Sequence, residues 1–543
     1  MSLSAGQART VGIASLIWAS SIFFSRIVGL VREQVIGRTL GASRQADLYF
    51  ASFTLPDFLN YLLAAGALSI VFIPIFLEYV ERGEREKAWR AFSAVANFML
   101  LAAAAGILLL MLFARPLAAV VAPGFTGPGE WDALARLIRI ILPAQLFIIV
   151  GGLLSASLQA QDRHVLPALA PLVYSLGVIA GGLIGAKLGL GAEGFAWGVL
   201  AGAAIGPFAL PLWGCWRSQM GWSPILSFRD ADLRRYLWLS LPIMIGFSIV
   251  VTDEWIVKNQ ASYLAEGSLS YLQYGRTLMK VPIGVFGMAV GVASYPTISR
   301  LVAAGGIVDA YAVLSHAVRL MLLLTFAAQI CLTLAGFEAA YLIWGLMSER
   351  FSIADAQSTG EVLAFLCLGL SGWAAQTVIS RGLYALGVTW LPTLLGTAIA
   401  FATVPAYIVL RQQWGAAGLA IASAAAILIY VFVLGWLQHR RFSGEASIAG
   451  DSLERVPGML LPALQLAFAA GIAIAAGFLV RFILLKFWPG TELYLLLGRA
   501  ALLCAVGLAI YVGIARLFAI PELAELETLL LRKLSLRHAR ANS

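Results

Sequence analysis

Charge is what this sequence has least of. Asp, Glu, Lys and Arg supply 12% of its 543 residues, about half the share usual in a water-soluble chain, which excludes an ordinary globular protein with a fully hydrated surface. Cysteine is scarce as well. Cys215, Cys331, Cys367 and Cys504 all sit inside apolar stretches without metal or redox spacing, which excludes a disulfide framework and leaves them as small core residues. The histidines, His164, His316, His439 and His538, are scattered and form no metal set. A nucleophile elbow, a Walker loop and any insertion large enough for an ATPase or glycosyltransferase centre are also missing. Gly189-Leu-Gly-Ala-Glu-Gly194 has the GxGxxG form, but it joins two apolar helices and reads as a turn. The expectation is a protein that is not an enzyme and needs neither cofactor nor metal.

What is abundant is apolar surface, at 61% hydrophobic residues and a mean hydropathy of +0.88. A transmembrane helix takes about 20 mostly apolar residues. Counting such segments between polar, Gly or Pro punctuation gives fourteen, from 11–31 and 46–77 through 236–264 and 269–299 to 458–485 and 492–518. The first lacks a small-residue cleavage site and runs into Arg26, so it reads as a retained span rather than a secretory signal. Short-loop basic residues such as Arg82, Arg85, Lys87, Arg90, Arg229, Arg234, Arg440 and Arg441 fall on one side of this plan, which puts both termini in the cytoplasm. The net charge of +9 then points to anionic lipid rather than nucleic acid.

The sequence repeats. Leu158-Gln-Ala-Gln-Asp-Arg-His-Val-Leu-Pro167 matches Leu383-Tyr-Ala-Leu-Gly-Val-Thr-Trp-Leu-Pro392 at an offset of 225, and Gly191-Ala-Glu-Gly-Phe-Ala196 matches Gly415-Ala-Ala-Gly-Leu-Ala420 at 224. Six helices per repeat, an even number, give two halves of the same topology, the plan of a transporter. The expected fold is therefore an all-α integral membrane protein with fourteen transmembrane helices: two parallel six-helix repeats and an appended C-terminal pair. The divisions are an N-terminal lobe over 1–220, a C-terminal lobe over 221–445, the extra pair over 446–520 and an amphipathic tail over 521–543.

Ionisable residues at membrane depth cost about 2.5–3.5 kcal/mol each on insertion scales, so those present mark a candidate site. They gather on the first two helices of each repeat: Arg26, Arg32, Asp57 and Asn60 in the first, Asp253, Glu254, Lys258, Arg276 and Lys280 in the second. Glu254 with Lys258, and Arg276 with Lys280, stand at i,i+4 and are expected to form facing polar stripes. Asp253 and Glu254 are the candidates for ion coupling. Pro56 and Pro282 free backbone carbonyls, and Gly284 and Gly287 allow close helix approach, which makes these four the expected gate.

The run Ser25-Arg-Ile-Val-Gly-Leu-Val-Arg32, with Leu40-Gly-Ala, Ala46-Asp47, Leu55-Pro-Asp57 and Gly66-Ala-Leu-Ser-Ile-Val-Phe-Ile-Pro74, resembles the signature of the lipid II flippases (MurJ, formerly MviN) of the multidrug/oligosaccharidyl-lipid/polysaccharide exporter superfamily. Leu166-Pro-Ala-Leu-Ala-Pro171, Pro282-Ile-Gly-Val-Phe-Gly287, Pro296-Thr-Ile-Ser-Arg300 and Ser380-Arg-Gly-Leu-Tyr-Ala-Leu386 are similar to the same family. The resemblance implies export of the undecaprenyl-diphosphate-linked peptidoglycan precursor across the bacterial inner membrane by alternating access, with membrane lipids and cell-wall synthesis proteins as partners. It implies functional roles for Arg26, Arg32 and Asp47, and the residues expected to bind substrate are these three with Asp57, Asn60, Arg276 and Lys280 from the charged clusters. Asn60 stands where many members have arginine, and Thr277 where a helix-8 arginine is expected, with Arg276 displaced by one residue. These departures leave open a flippase for another polyprenyl-diphosphate oligosaccharide. A cation-coupled drug antiporter is disfavoured by the basic residues.

Overall fold

The computed structural model describes residues 27–64, 71–245, 249–346 and 348–528. Arg26 and the tail beyond 528 lie outside the described residues. No strand occurs among the described residues. Helix α1 covers 27–40. It is followed by α2 (Arg44–Ser52), α3 (Thr54–Ala64), α4 (Ile73–Glu81), α5 (Arg85–Leu112), α6 (Ala114–Val121), α7 (Glu130–Ile141) and α8 (Ala144–Gln159). Next come α9 (Val165–Lys187), α10 (Ala192–Ala203), a π-helical turn over Ala204–Ala209 and α11 (Leu210–Arg217). After α12 (Ala231–Ile245), α13 (Ile249–Ala261) and α14 (Ser268–Pro282), a second π turn, Ile283–Gly287, leads into α15 (Met288–Ala303). The remainder is α16 (Ile307–Leu334), α17 (Gly336–Ala340), α18 (Ile353–Cys367), α19 (Leu370–Ala385), α20 (Trp390–Ala402), α21 (Val404–Ile448), α22 (Leu460–Phe487) and α23 (Leu493–Leu517).

Among the described residues, eight helices are long and apolar enough to cross a bilayer, and α18 with α19, bent by 43°, makes a ninth. Several other expected spans are interrupted where the sequence carries breakers. The second divides at Phe53, between α2 and α3. The eighth passes through the π turn that follows Pro282. Pro207 lies inside the π turn Ala204–Ala209; proline removes a ladder donor, and the wider turn accommodates the gap. The last span of the second repeat, expected to stop near 438, continues as α21 to Ile448. Arg440 there lies 4.1 Å over the Trp436 ring, a basic side chain reaching along apolar surface while its head stays polar.

The internal repeat extends to backbone geometry. Gly191 (φ 52°, ψ −123°) and Gly415 (φ 57°, ψ −130°) adopt the same left-handed corner. Asp162 and Gly387, equivalent at the offset of 225, both have positive φ, 59° and 77°. Behind them the same closing bond forms, Arg163 N donating to Leu158 O and Val388 N to Leu383 O, both at 2.9 Å.

Packing divides the chain into two units, Met1–Phe247 with Glu254–Ser270 and Met347–Ser352, and Ser248–Asp253 with Tyr271–Leu346 and Ile353–Ser543. In the first, α9 and α10 mesh through glycines at every fourth position. A Cβ on Gly177, Gly181 or Gly185 would stand 2.4–2.5 Å from the Cα of Gly202, Gly198 or Gly194. Backbones are therefore in direct contact, the close approach that small residues permit in a membrane.

In the second unit, ion pairs bind the last two helices to α16 and α17. Glu338, fully buried, takes Arg481 of α22 at 2.9 Å and Arg499 of α23 at 3.5 Å. Toward the other end, Arg319 meets Glu522 at 2.6 Å, and His316 lies 3.5 Å from Glu522 and 3.3 Å from Glu525. Glu522, at the start of the stretch expected to be an amphipathic tail, is buried, where it supplies the counter-charge that Arg319 needs.

Replacing Gly181 by Leu should abolish or sharply lower the yield of folded protein, because a backbone cannot yield as a side chain can. Gly513→Ala, where a Cβ would meet nothing within 4 Å, should leave the melting temperature in detergent unchanged. Equal behaviour of the two variants would refute the packing assignment.

Candidate functional site

In the first unit, the site residues lie on α1, α3 and the later half of α13. Arg32 turns back on its neighbour Glu33 at 2.7 Å and keeps 28% of its side chain exposed. Across α3 and α13, Phe58 and Trp255 pack with ring centroids 5.4 Å apart. Beside them Lys258, 6% exposed, stands 3.8 Å from Asp57 and 3.6 Å from Glu254. The i,i+4 spacing of Glu254 and Lys258 does bring them onto one face. Asp57 joins from another helix, so one ammonium serves two carboxylates. Asp57 is 48% exposed, and Asn60, one turn on, is half-buried.

Asp47 does something different from what was expected of it. Its carboxylate is 1% exposed and accepts from Gly267 N at 2.8 Å, Ser270 N at 2.8 Å and Ser270 Oγ at 2.6 Å. It therefore caps the open N-terminus of α14, satisfying donors that a helix leaves unpaired. Both oxygens of Asp47, expected to bind substrate, are thus occupied within the fold.

Around Asp47 a cluster of polar ties gathers the same end of the unit. Arg44 N donates to Glu266 at 2.7 Å, and its guanidinium meets Glu130 at 3.1 Å. Ser262 Oγ accepts from Gly124 N at 3.0 Å, and Asn259 donates to Val120 O at 2.9 Å. Arg350 donates to Thr39 O at 2.9 Å. No pattern along the chain signals these ties, because each joins segments distant in sequence.

In the second unit, Arg276 and Asp253 meet. Arg276 Nη2 donates to Asp253 Oδ2 at 2.5 Å, and Ser423 Oγ donates to the same oxygen at 3.0 Å. Tyr407 OH donates to Asp253 Oδ1. Arg276 is 4% exposed and Asp253 1%. The sequence assigned the arginine to substrate and the aspartate to ion coupling, but the structure joins them in one buried network. Of the i,i+4 pair Arg276 and Lys280, Arg276 is buried whereas Lys280 is exposed. Tyr407 and Ser423, which lie before and after the Gly415 corner that divides α21, escaped sequence reasoning. An aspartate inside a span demands partners, but spacing cannot say which helix supplies them.

The expected gating residues fall on local irregularities. Pro56 is buried near the start of α3, just beyond the break at Phe53. Pro282 ends α14, and Gly284 and Gly287 lie in the π turn that follows. Thr377 of α19 donates to Gly287 O at 3.3 Å, and an added Cβ on Gly287 would meet Thr377 and Ala374 at 3.3–3.6 Å. Among the described residues, no group of three or more His, Cys, Asp or Glu side chains is arranged to hold a metal ion.

The sequence matches the family described as "Lipid II flippase MurJ" over residues 36–496, a stretch that includes both repeats and enters α23. The lipid II flippase MurJ of Burkholderia cenocepacia is 27% identical over 367 residues, covering 66% of this chain and 70% of that one. The probable lipid II flippase MurJ of Bdellovibrio bacteriovorus is 25% identical over 512 residues, covering 92% and 94%. Among solved structures, a lipid II flippase MurJ in an inward closed conformation superposes with a TM-score of 0.73 at 21% identity, covering 93% of this chain and 98% of that one. An inward-facing multidrug resistance MATE family transporter of the MOP superfamily superposes at 0.65 and 14% identity, covering 80% of this chain and 99% of its own. The MATE match leaves a fifth of this chain uncovered, whereas the flippase fold accounts for nearly all of it. Charged residues within the first two helices of each repeat, broken spans beside them and a profile running through both halves lead to one assignment: this multi-pass membrane protein belongs to the lipid II flippase MurJ family.

Proposed function

We propose that the protein moves lipid II, the undecaprenyl-diphosphate-linked peptidoglycan precursor, from the cytoplasmic to the outer leaflet of the bacterial inner membrane by alternating access. The observation that carries this reading is the family match over residues 36–496, which runs through both repeats into the final helix pair. In this reading both termini are cytoplasmic, and the lobes expected at 1–220 and 221–445 are the moving parts. The cluster around Asp47 then lies at the outer end, where its ties hold the path shut while the other end is open. The breaks at Phe53 and at the π turn after Pro282 are where the helices flex.

The chemistry follows from the ion pairs. Arg32 and Lys258 are held by carboxylates of the same chain, Glu33, Glu254 and Asp57. A diphosphate brings about two negative charges and three-dimensional arrays of acceptors. Bound near these cations, it competes with the carboxylates, so loading substrate loosens contacts that fix the helices in place. Arginine presents a planar fork to phosphate oxygens, whereas lysine offers a point charge. Arg276, bonded to Asp253, serves to hold α13, α14 and α21 together. Export also runs with the field. With the cell interior negative, moving each negative charge outward gains about 2.3 kcal/mol per 100 mV.

Proteoliposomes carrying the full chain and fluorescent lipid II should show translocation, and Arg32→Ala should slow it at least about ten-fold, the loss expected for one charge-assisted contact. Transport of a different polyprenyl-diphosphate oligosaccharide with lipid II left behind would replace this reading with the alternative that Asn60 permits. An imposed potential, negative on the loading side, should raise the rate. Indifference to potential would remove the field as the drive and make Glu254 the candidate for a coupled ion. Asp253→Asn should destabilise the protein by roughly 3–5 kcal/mol, the usual cost of stranding one partner of a buried pair, seen as a lower melting temperature. An unchanged melting temperature with an altered ion dependence would restore Asp253 to a coupling role.

A further inference from the structure

We propose that Arg381 of α19 is a phosphate-binding residue, forming with Tyr295 and Tyr384 a subsite for the phosphate of an anionic lipid; the inference builds on the transport reading. Four observations within the second unit lead to it. Arg381 lies one turn before the end of α19 at Ala385, half-buried, and its Nη1 is a buried donor without a hydrogen-bond partner among the described residues. It takes part in no ion pair among the described residues. Arg276, Arg319, Arg481 and Arg499, by contrast, each meet a carboxylate in the same unit.

The neighbouring helix makes room for it. An added Cβ on Gly291 of α15 would stand 2.2 Å from Arg381 Nη1, so the guanidinium lies in the space that the glycine leaves open. Two phenols share these helix faces, Tyr384 three residues after Arg381 on α19 and Tyr295 four residues after Gly291 on α15, and they are 38% and 36% exposed. Phenols donate to phosphate oxygens as readily as they accept, and a guanidinium flanked by donors attracts an anion rather than a cation. The fold does not require the arginine. At the repeat offset of 225 its equivalent is Ala156, which is buried. An arginine within a span that lacks a counter-charge from its own chain is costly, and an anion from outside the chain removes that cost. α19 ends one turn beyond it, at Ala385. In the orientation proposed above, this is the cytoplasmic end, where substrate is loaded.

The phosphate has two sources, the diphosphate of the transported lipid or the headgroup of a bilayer phospholipid, and the test separates them. The full chain, its Arg381→Ala and Arg381→Lys variants, and a Tyr295→Phe/Tyr384→Phe double variant are reconstituted in phosphatidylcholine alone or with phosphatidylglycerol. The readouts are the rise in melting temperature on adding undecaprenyl diphosphate, the same rise on adding phosphatidylglycerol, and KM against kcat for fluorescent lipid II. Because Arg381 has no ion-pair partner to strand among the described residues, Arg381→Ala should melt at the parent temperature without ligand.

If the subsite holds substrate, Arg381→Ala loses most of the rise given by undecaprenyl diphosphate and raises KM about ten-fold, with Arg381→Lys intermediate and kcat little changed. If it holds a phospholipid, the phosphatidylglycerol rise is lost and KM stays at the parent value in phosphatidylcholine. Parent-like rises with both lipids in Arg381→Ala would overturn the proposal. Should that variant fail to fold, the double phenylalanine variant decides in the same way. A parent protein that moves no lipid II but still gains stability from either lipid through Arg381 would refute the transport reading while leaving the subsite standing.

Discussion

An ion inside hydrocarbon must have a counter-ion, and much of this molecule is arranged around that requirement. Water is not at hand to solvate a stray guanidinium or carboxylate, so an isolated charge inside a span is costly. Asp253 is bonded to Arg276, Tyr407 and Ser423. Glu338 takes two arginines, and Glu522 takes Arg319. Each of these sets ties together helices that apolar packing alone would leave free to slide, since lipid tails are as apolar as the side chains they touch. Charge is scarce in the sequence because each one present must be answered, and the answers hold helices together.

The same requirement separates static pairs from exchangeable ones. Arg276 and Asp253 are buried and bonded, so parting them would strand two ions. Lys258 shares its ammonium between carboxylates at 3.8 and 3.6 Å, one of which is half-exposed. That arrangement is loose enough for an incoming phosphate to displace a carboxylate without leaving any group bare. The site described for the first unit is thus suited to exchange, and the network in the second unit to permanence.

Local signals in the sequence survived in the structure, while tertiary ones were out of reach. The Gly191 and Gly415 corners share dihedral angles, as the matched loops implied, because the turn is encoded by residues within a few positions of it. Glu254 meets Lys258 because i,i+4 spacing is enough to specify the contact. Spacing says nothing about which helix answers Asp253 or what Asp47 touches, and there the expectations gave way: Asp47 caps a helix 220 residues further along the chain. Arg381 occupies a middle ground. The sequence already shows no acidic residue three or four positions to either side of it, where Thr377, Val378, Tyr384 and Ala385 stand. Its lack of a local answer was readable; that no distant helix among the described residues supplies one required the fold.

The final helix pair is fastened at two levels, through Glu338 near one end of α16 and through Glu522 near the other. A hairpin held at a single point swings like a flap and lets lipid flow behind it. Held at both, α22 and α23 travel with α16 as a stave travels with its barrel. Annular lipids along that face are consequently pushed aside by a rigid wall whenever α16 shifts, and the thickness and lateral pressure of the surrounding bilayer enter the energetics of the conformational cycle.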